Sequence, residues 1–185
     1  MALAPDRRWQ PFTDTKCRCP CCGKPVQGVL DLGYDHSDTW PHLSHRMNGG
    51  TVTVGQDKLT ADFCSVADLF YLRGLQSLPI RGTDAALAFG AWAEVPTEPS
   101  HANRAVVGTP AETALGTRPA RLANTLSGFP GSAGLTPTSR FLDAAERPQF
   151  TVADPSALGV AQQDAFSVDI YASFAHDLRP HLGVA

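Results

Sequence analysis

The chain contains no apolar run approaching the ~18 residues of a membrane-spanning helix, and no block of Lys or Arg longer than the Arg7-Arg8 pair. The first absence argues against a transmembrane segment. The second, with a formal net charge of −3, argues against a nucleic-acid binder, which presents a basic face to phosphates. The opening residues, Met1-Ala2-Leu3-Ala4-Pro5-Asp6-Arg7-Arg8, lack the apolar stretch of a secretory signal. Clustered thiols survive best in a reducing compartment, so a cytoplasmic protein is expected. Nucleophile-elbow, Walker and dinucleotide fingerprints are missing as well. Gly128-Phe129-Pro130-Gly131-Ser132-Ala133-Gly134 is glycine-rich, yet no Lys follows it and no strand-loop-helix frame surrounds it, so it reads as a turn.

With 185 residues, 43% apolar and 18% charged, the chain has the size and composition of one globular domain with a sizeable core. Residues 1–16 read as a polar, loosely ordered leader with Trp9 and Phe12 as anchors, and 17–185 as a single α+β domain.

Four of the five cysteines fall in Cys17-Arg18-Cys19-Pro20-Cys21-Cys22-Gly23-Lys24. The pair Cys19 and Cys22 followed by Gly23 has the form of a zinc knuckle. Two thiolates three apart converge on one metal only if the chain turns sharply after the second, and glycine accepts the positive φ of such a turn. A redox Cys-Pro-x-Cys motif would need a helix starting there to lower the thiol pKa, and Gly23 with Pro25 blocks one. A disulfide framework belongs to smaller stapled domains, and buried core thiols are the bland alternative. Zinc in a structural site takes four ligands. Cys64, in Ala61-Asp62-Phe63-Cys64-Ser65, is the expected third, and Cys17, on the side of Cys19 in an extended chain, the fourth. His36, His42 and His45 are alternatives for that place. Cys21 lies between the ligand positions and is expected to point away.

Periodicity predicts the elements. Thr51-Val52-Thr53-Val54 reads as a short strand. Residues 69–73 and 75–80 read as strand-like runs around a bulge at Gly74. Residues 87–95 alternate, with Leu87, Phe89 and Ala91 on one face and Trp92 and Glu94 on the other, as in an antiparallel sheet. The Pro-rich stretch 96–119 reads as a long mobile connection with one short helix near 101–106. Residues 122–131 read as a strand or short helix ending in a turn, and 149–153 as a strand. Phe166, Ile170, Phe174 and Leu178 recur every fourth residue and predict a final helix with one core-facing stripe, capped by Ser167 and ended by Pro180. The fold expected is an antiparallel sheet with this helix packed on it and the knuckle at 17–24. Arg73, after an apolar run, is expected to pair with Asp62 or Asp68.

The order and spacing of Cys19-x-x-Cys22-Gly23, Asp62-Phe63-Cys64, Tyr71-Leu72-Arg73-Gly74, Leu78-Pro79-Ile80, Gly82-Thr83, the strand carrying Trp92, Asn124-Thr125-Leu126-x-Gly128-Phe129-Pro130 and Arg147-Pro148 resemble a bacterial domain-of-unknown-function family, number 2199 in its series. The resemblance implies a small α+β protein with paired cysteines near its start, and no activity. Where that family often carries a His, Ser156 stands here.

Two function classes follow. One is a non-enzymatic binding or interaction protein, with an unidentified protein partner, stabilised by Zn2+ on Cys19, Cys22, Cys64 and Cys17. The other is a metal-dependent hydrolase using Cys19, Cys22 and Cys64 with an open fourth position and His36 or Asp38 as base.

Overall fold

The computed structural model describes residues 7–9, 14, 16, 18, 31–42, 50–96, 115–142, 146–168, 170 and 171. The knuckle cysteines Cys17, Cys19, Cys21 and Cys22, together with Phe12, His45, residues 97–114, Phe174 and Leu178, lie outside them. The strands run β1 (Asp31–Gly33), β2 (Val52–Val54), β3 (Asp57–Leu59), β4 (Phe63–Val66), β5 (Leu69–Pro79), β6 (Ala86–Val95), β7 (Thr117–Pro119), β8 (Arg121–Leu122), β9 (Thr138–Arg140) and β10 (Gln149–Thr151), followed by the helix α1 (Ala157–Asp164). No helix among the described residues is long and apolar enough to cross a membrane.

All ten described strands form one sheet around the long β5–β6 hairpin, in register from Phe70 opposite Val95 to Pro79 opposite Ala86. Each outer edge of that hairpin is covered by two short strands placed end to end. On β5 these are β4, antiparallel, and β10, parallel. On β6 they are β8, antiparallel, and β1, parallel. The sheet is therefore mixed, not purely antiparallel as the sequence suggests. The parallel partners are short strands far from the hairpin in sequence, which alternation within β5 and β6 does not reveal.

Period-two alternation sorts the two faces. Phe70, Leu72 and Leu78 of β5, with Leu87, Phe89 and Ala91 of β6, belong to the main core. Tyr71 and Trp92 on the opposite face join Trp40, Leu59 and Cys64 in a second, smaller core. The expected division of Leu87, Phe89 and Ala91 from Trp92 and Glu94 is what the register shows.

One local expectation is overturned. Gly74 forms no bulge: it pairs with Ala91 inside an unbroken strand. A Cβ there would lie 2.4 Å from Cζ of Phe150, so the missing side chain makes room for a ring rather than a kink. Among the described residues, a helix the sequence reading did not expect, α1, packs on β5 and begins well before Phe166. Ser156 is its N-cap, its hydroxyl accepting from Gly159 N at 3.2 Å.

Phe166 itself bridges to Ile80 in extended pairing. Helical structure resumes at Val168, and the Ser167 hydroxyl accepts from Ile170 N at 3.2 Å, as its capping role predicts. The stripe is rotated, however. Ile170 is 53% exposed, whereas Val168 and Tyr171 are buried. Trp9 packs edge-on against Tyr171, with ring centroids 5.1 Å apart, which gives that leader residue its anchoring role.

Candidate binding face

End-to-end short strands leave a seam on each edge of the hairpin, where backbone groups need other partners. On the β6 edge the seam falls at Trp92. Its N–H donates to Oδ1 of Asn124 at 2.7 Å, and its carbonyl accepts from Ala123 N at 2.8 Å. Asn124 is fully buried and donates through Nδ2 to the His36 carbonyl at 3.0 Å and to Oδ1 of Asp38 at 2.9 Å. The other Asp38 oxygen accepts from Thr125 N at 2.7 Å. The indole N–H of Trp92 reaches the Tyr34 carbonyl at 2.8 Å. One asparagine thus fastens segment 34–38 across the sheet edge. Sequence reading quoted Asn124 within a motif but assigned it no role, because a hub linking positions so far apart in the chain leaves no local pattern.

On the β5 edge the seam falls at Arg73, whose N–H donates to the Asp62 carbonyl at 3.0 Å, while Leu75 N donates to the Pro148 carbonyl at 2.8 Å. Asp62 does approach this seam, but its carboxylate takes Arg147, with Nε to Oδ1 at 2.6 Å. The pairing expected for Arg73 is therefore not made. No described carboxylate bonds its side chain, and its Nε is buried without a partner. The guanidinium lies over the paired residues Gly33 and Gly90. A Cβ on Gly33 would lie 2.6 Å from Nη2, and one on Gly90 3.3 Å from Nε. Burial first, then the neighbouring Arg147, pushes the Arg73 pKa below the usual guanidinium range.

Beside the β5 seam, Cys64 pairs with Tyr71 across β4 and β5. It is fully buried with Trp40, Leu59, Tyr71 and Trp92. Burial pushes its thiol from 9.0 up to about 12, with Ser37 acting in the opposite direction. Among the described residues no three His, Cys, Asp or Glu side chains are grouped to hold a metal. His36 donates through Nδ1 to the Ser37 carbonyl at 2.8 Å, and His42 through Nε2 to Asp57 at 2.8 Å. Asp57 is held below the usual carboxylate range chiefly by the N–H of Ala67, then by His42. Of the metal set, only Cys64 falls among the described residues, where it packs in the small apolar cluster with the Ser37 side chain beside its thiol.

A shallow cleft of about 200 Å³ opens beside this small core, lined by Asp38, Thr39, Tyr71, Glu94, Arg121 and Ala133 among others. The Tyr71 hydroxyl is buried without a hydrogen bond, and burial raises its pKa. Glu94 and Arg121 face each other at 3.8 Å, a loose contact in which the arginine side chain is 63% exposed.

No curated protein and no solved structure gives a significant match to the chain. The motifs that line these seams, Tyr71-Leu72-Arg73-Gly74, Asn124-Thr125-Leu126 and Arg147-Pro148, all fall within residues 18–165, which match the family described as "Uncharacterized protein conserved in bacteria (DUF2199)". The chain belongs to that bacterial family, as its motifs imply.

Proposed function

We propose that this chain is a cytoplasmic binding protein without catalytic chemistry of its own, closed at its N-terminus by zinc. It receives a donor-bearing side chain of a protein partner in the Tyr71–Glu94–Arg121 cleft. The cleft's size carries this reading. About 200 Å³ is below the ~300–1,000 Å³ usual for small-molecule sites and suits one inserted side chain. An incoming N–H group finds the Glu94 carboxylate at the cleft wall. Arg121 gives way at little cost, since an exposed ion pair contributes under about 1 kcal/mol. The hydrolase alternative needs Asp38 or His36 as a base. Both Asp38 oxygens are engaged by Asn124 and Thr125, and His36 Nδ1 by a carbonyl.

The zinc reading rests on the spacing of Cys17, Cys19 and Cys22, which would hold the metal as thiolates and tie down a segment short of apolar bulk. Cys64 already has a place in the aromatic core. Elemental analysis of purified protein should return one zinc per chain, lost in Cys19→Ser and Cys22→Ser; metal-free protein would overturn the zinc assignment. Zinc kept in Cys64→Ser assigns that thiol to the core, and zinc lost there makes it a ligand. For the cleft, titration with L-arginine amide should give saturable amide shifts at Thr39, Glu94, Arg121 and Ala133, weakened several-fold by Glu94→Gln. Shifts that do not saturate would overturn the cleft as a binding site.

A further inference from the structure

A charge taken out of water without a counterion is costly, and proteins ordinarily pair it or bring it a ligand. Arg73 is a half-buried guanidinium that none of the described carboxylates bonds. Asp62, the nearest candidate on its own seam, is taken by Arg147. The group also lies close over the sheet. It lies across Gly90 and Gly33, where a Cβ on either residue would come within 3.3 Å or 2.6 Å of its nitrogens. Two adjacent glycines on neighbouring strands weaken a sheet. Here their shared consequence is a floor on which a planar group can rest.

Which edge of the guanidinium is open follows from its atoms. Nε is covered, which closes the side-on approach, whereas neither terminal nitrogen is among the buried atoms without a partner. Nη1 and Nη2 therefore keep some exposed surface, and the end of the guanidinium is the side left for an approaching group. A second guanidinium, Arg147, lies close enough to depress the Arg73 pKa, and Asp62 and Asp35 are close enough to oppose it without bonding it.

We propose that Arg73 anchors an oxyanion site: its Nη1/Nη2 fork takes a carboxylate or phosphate group of a ligand end-on, with Arg147, itself paired with Asp62, adding positive charge nearby and Gly33 and Gly90 leaving room for the guanidinium. Carboxylate and phosphate share the oxygen spacing that a guanidinium fork matches. A bound anion would return to Arg73 the counter-charge that its seam lacks. The site stands on the same sheet face as the Tyr71 cleft and is separate from it, since it uses none of the cleft's lining residues.

The test is a titration of the full-length chain with inorganic phosphate, and in parallel with acetate, at constant ionic strength. Binding is followed by the guanidinium ¹H–¹⁵N signals of Arg73. Saturable shifts are expected with one of the two anions, and the tighter of the two identifies the ligand as phosphoryl or carboxylate. Arg73→Lys keeps the charge but loses the fork and should weaken binding at least tenfold. Gly33→Ala, which places a methyl against Nη2, should do the same while leaving Arg73 in the sequence. Arg147→Gln should weaken binding several-fold. Shifts that never saturate with either anion would overturn the proposal, as would saturable binding unchanged in both Arg73→Lys and Gly33→Ala.

Discussion

Gln76 is fully buried on the core face of β5, and neither its amide nitrogen nor its oxygen has a hydrogen-bond partner. An unsatisfied buried amide costs on the order of 1–3 kcal/mol, and replacing it by an apolar group of similar shape removes that cost. Gln76→Met should therefore raise unfolding stability by about 1–2 kcal/mol, visible as a higher urea midpoint at unchanged slope. A lower midpoint would show that the amide is satisfied in solution. Cys64 gives a pH signature. Its folded pKa, about 12, lies above the ordinary 9.0, so the unfolded thiol ionises first. Its contribution is fully present below pH 9.0 and is lost as the pH rises toward about 12. Tyr71, raised from 10.0, adds a second loss that begins higher. In Cys64→Ala the alkaline decline in stability should consequently begin later, near the Tyr71 range. Denaturant melts through the alkaline range would show this, and an unchanged onset would refute it.

Among the elements, the β5–β6 hairpin is held by what crosses its two seams. Asn124→Ala would leave the buried N–H of Trp92 without an acceptor and remove both donors to segment 36–38. A loss of about 1–3 kcal/mol follows from the unsatisfied N–H alone. Amide exchange should accelerate at Trp92 and Thr125 before it does along the centre of β5. Equal acceleration everywhere would mean that Asn124 stabilises the whole fold rather than the seam. The packing of Phe150 on Gly74 makes a second test. Gly74→Ala should destabilise by about 1–3 kcal/mol or more through overpacking, since the new methyl would meet the Phe150 ring at 2.4 Å. Shortening the ring in a Gly74→Ala, Phe150→Leu double variant should recover part of that loss. Strictly additive losses would show that the two positions do not share the contact.

For the molecule as a whole, the question is how far the N-terminal cysteine segment and the sheet depend on one another. β5 and β6 lie between two hydrophobic clusters, one on each face, and on that burial the sheet is expected to stand by itself. Chelation should thus speed amide exchange around residues 17–24 and leave residues 69–95 protected. Uniform acceleration would show that the sheet depends on the knuckle, and an unchanged N-terminal segment would show that no metal was holding it. Either result refutes the division.

Composition and local periodicity were enough to establish an α+β chain, strands within 51–54, 87–95 and 149–153, the two-faced alternation around Trp92, and the Ser167 cap. Each depends on residues a few positions apart, where side-chain spacing maps directly onto one face. The spacing of Cys19 and Cys22 before Gly23 is likewise local, and it alone suggested a metal. Other features were decided only in the folded chain. The parallel partners of β5 and β6 and the Asn124 hub each join residues far apart in sequence. The turning of Ile170 outward while Val168 and Tyr171 face inward depends on which neighbour the helix meets, here Trp9 for Tyr171. Gly74 shows the limit most directly. A glycine in a strand reads equally well as a bulge or as room for a neighbour, and only the position of Phe150 distinguishes them. Arg73 is the same case in charge: its own segment offered Asp62 and Asp68 as partners, but Arg147, joining from just before β10, takes Asp62 and leaves Arg73 without a described carboxylate partner.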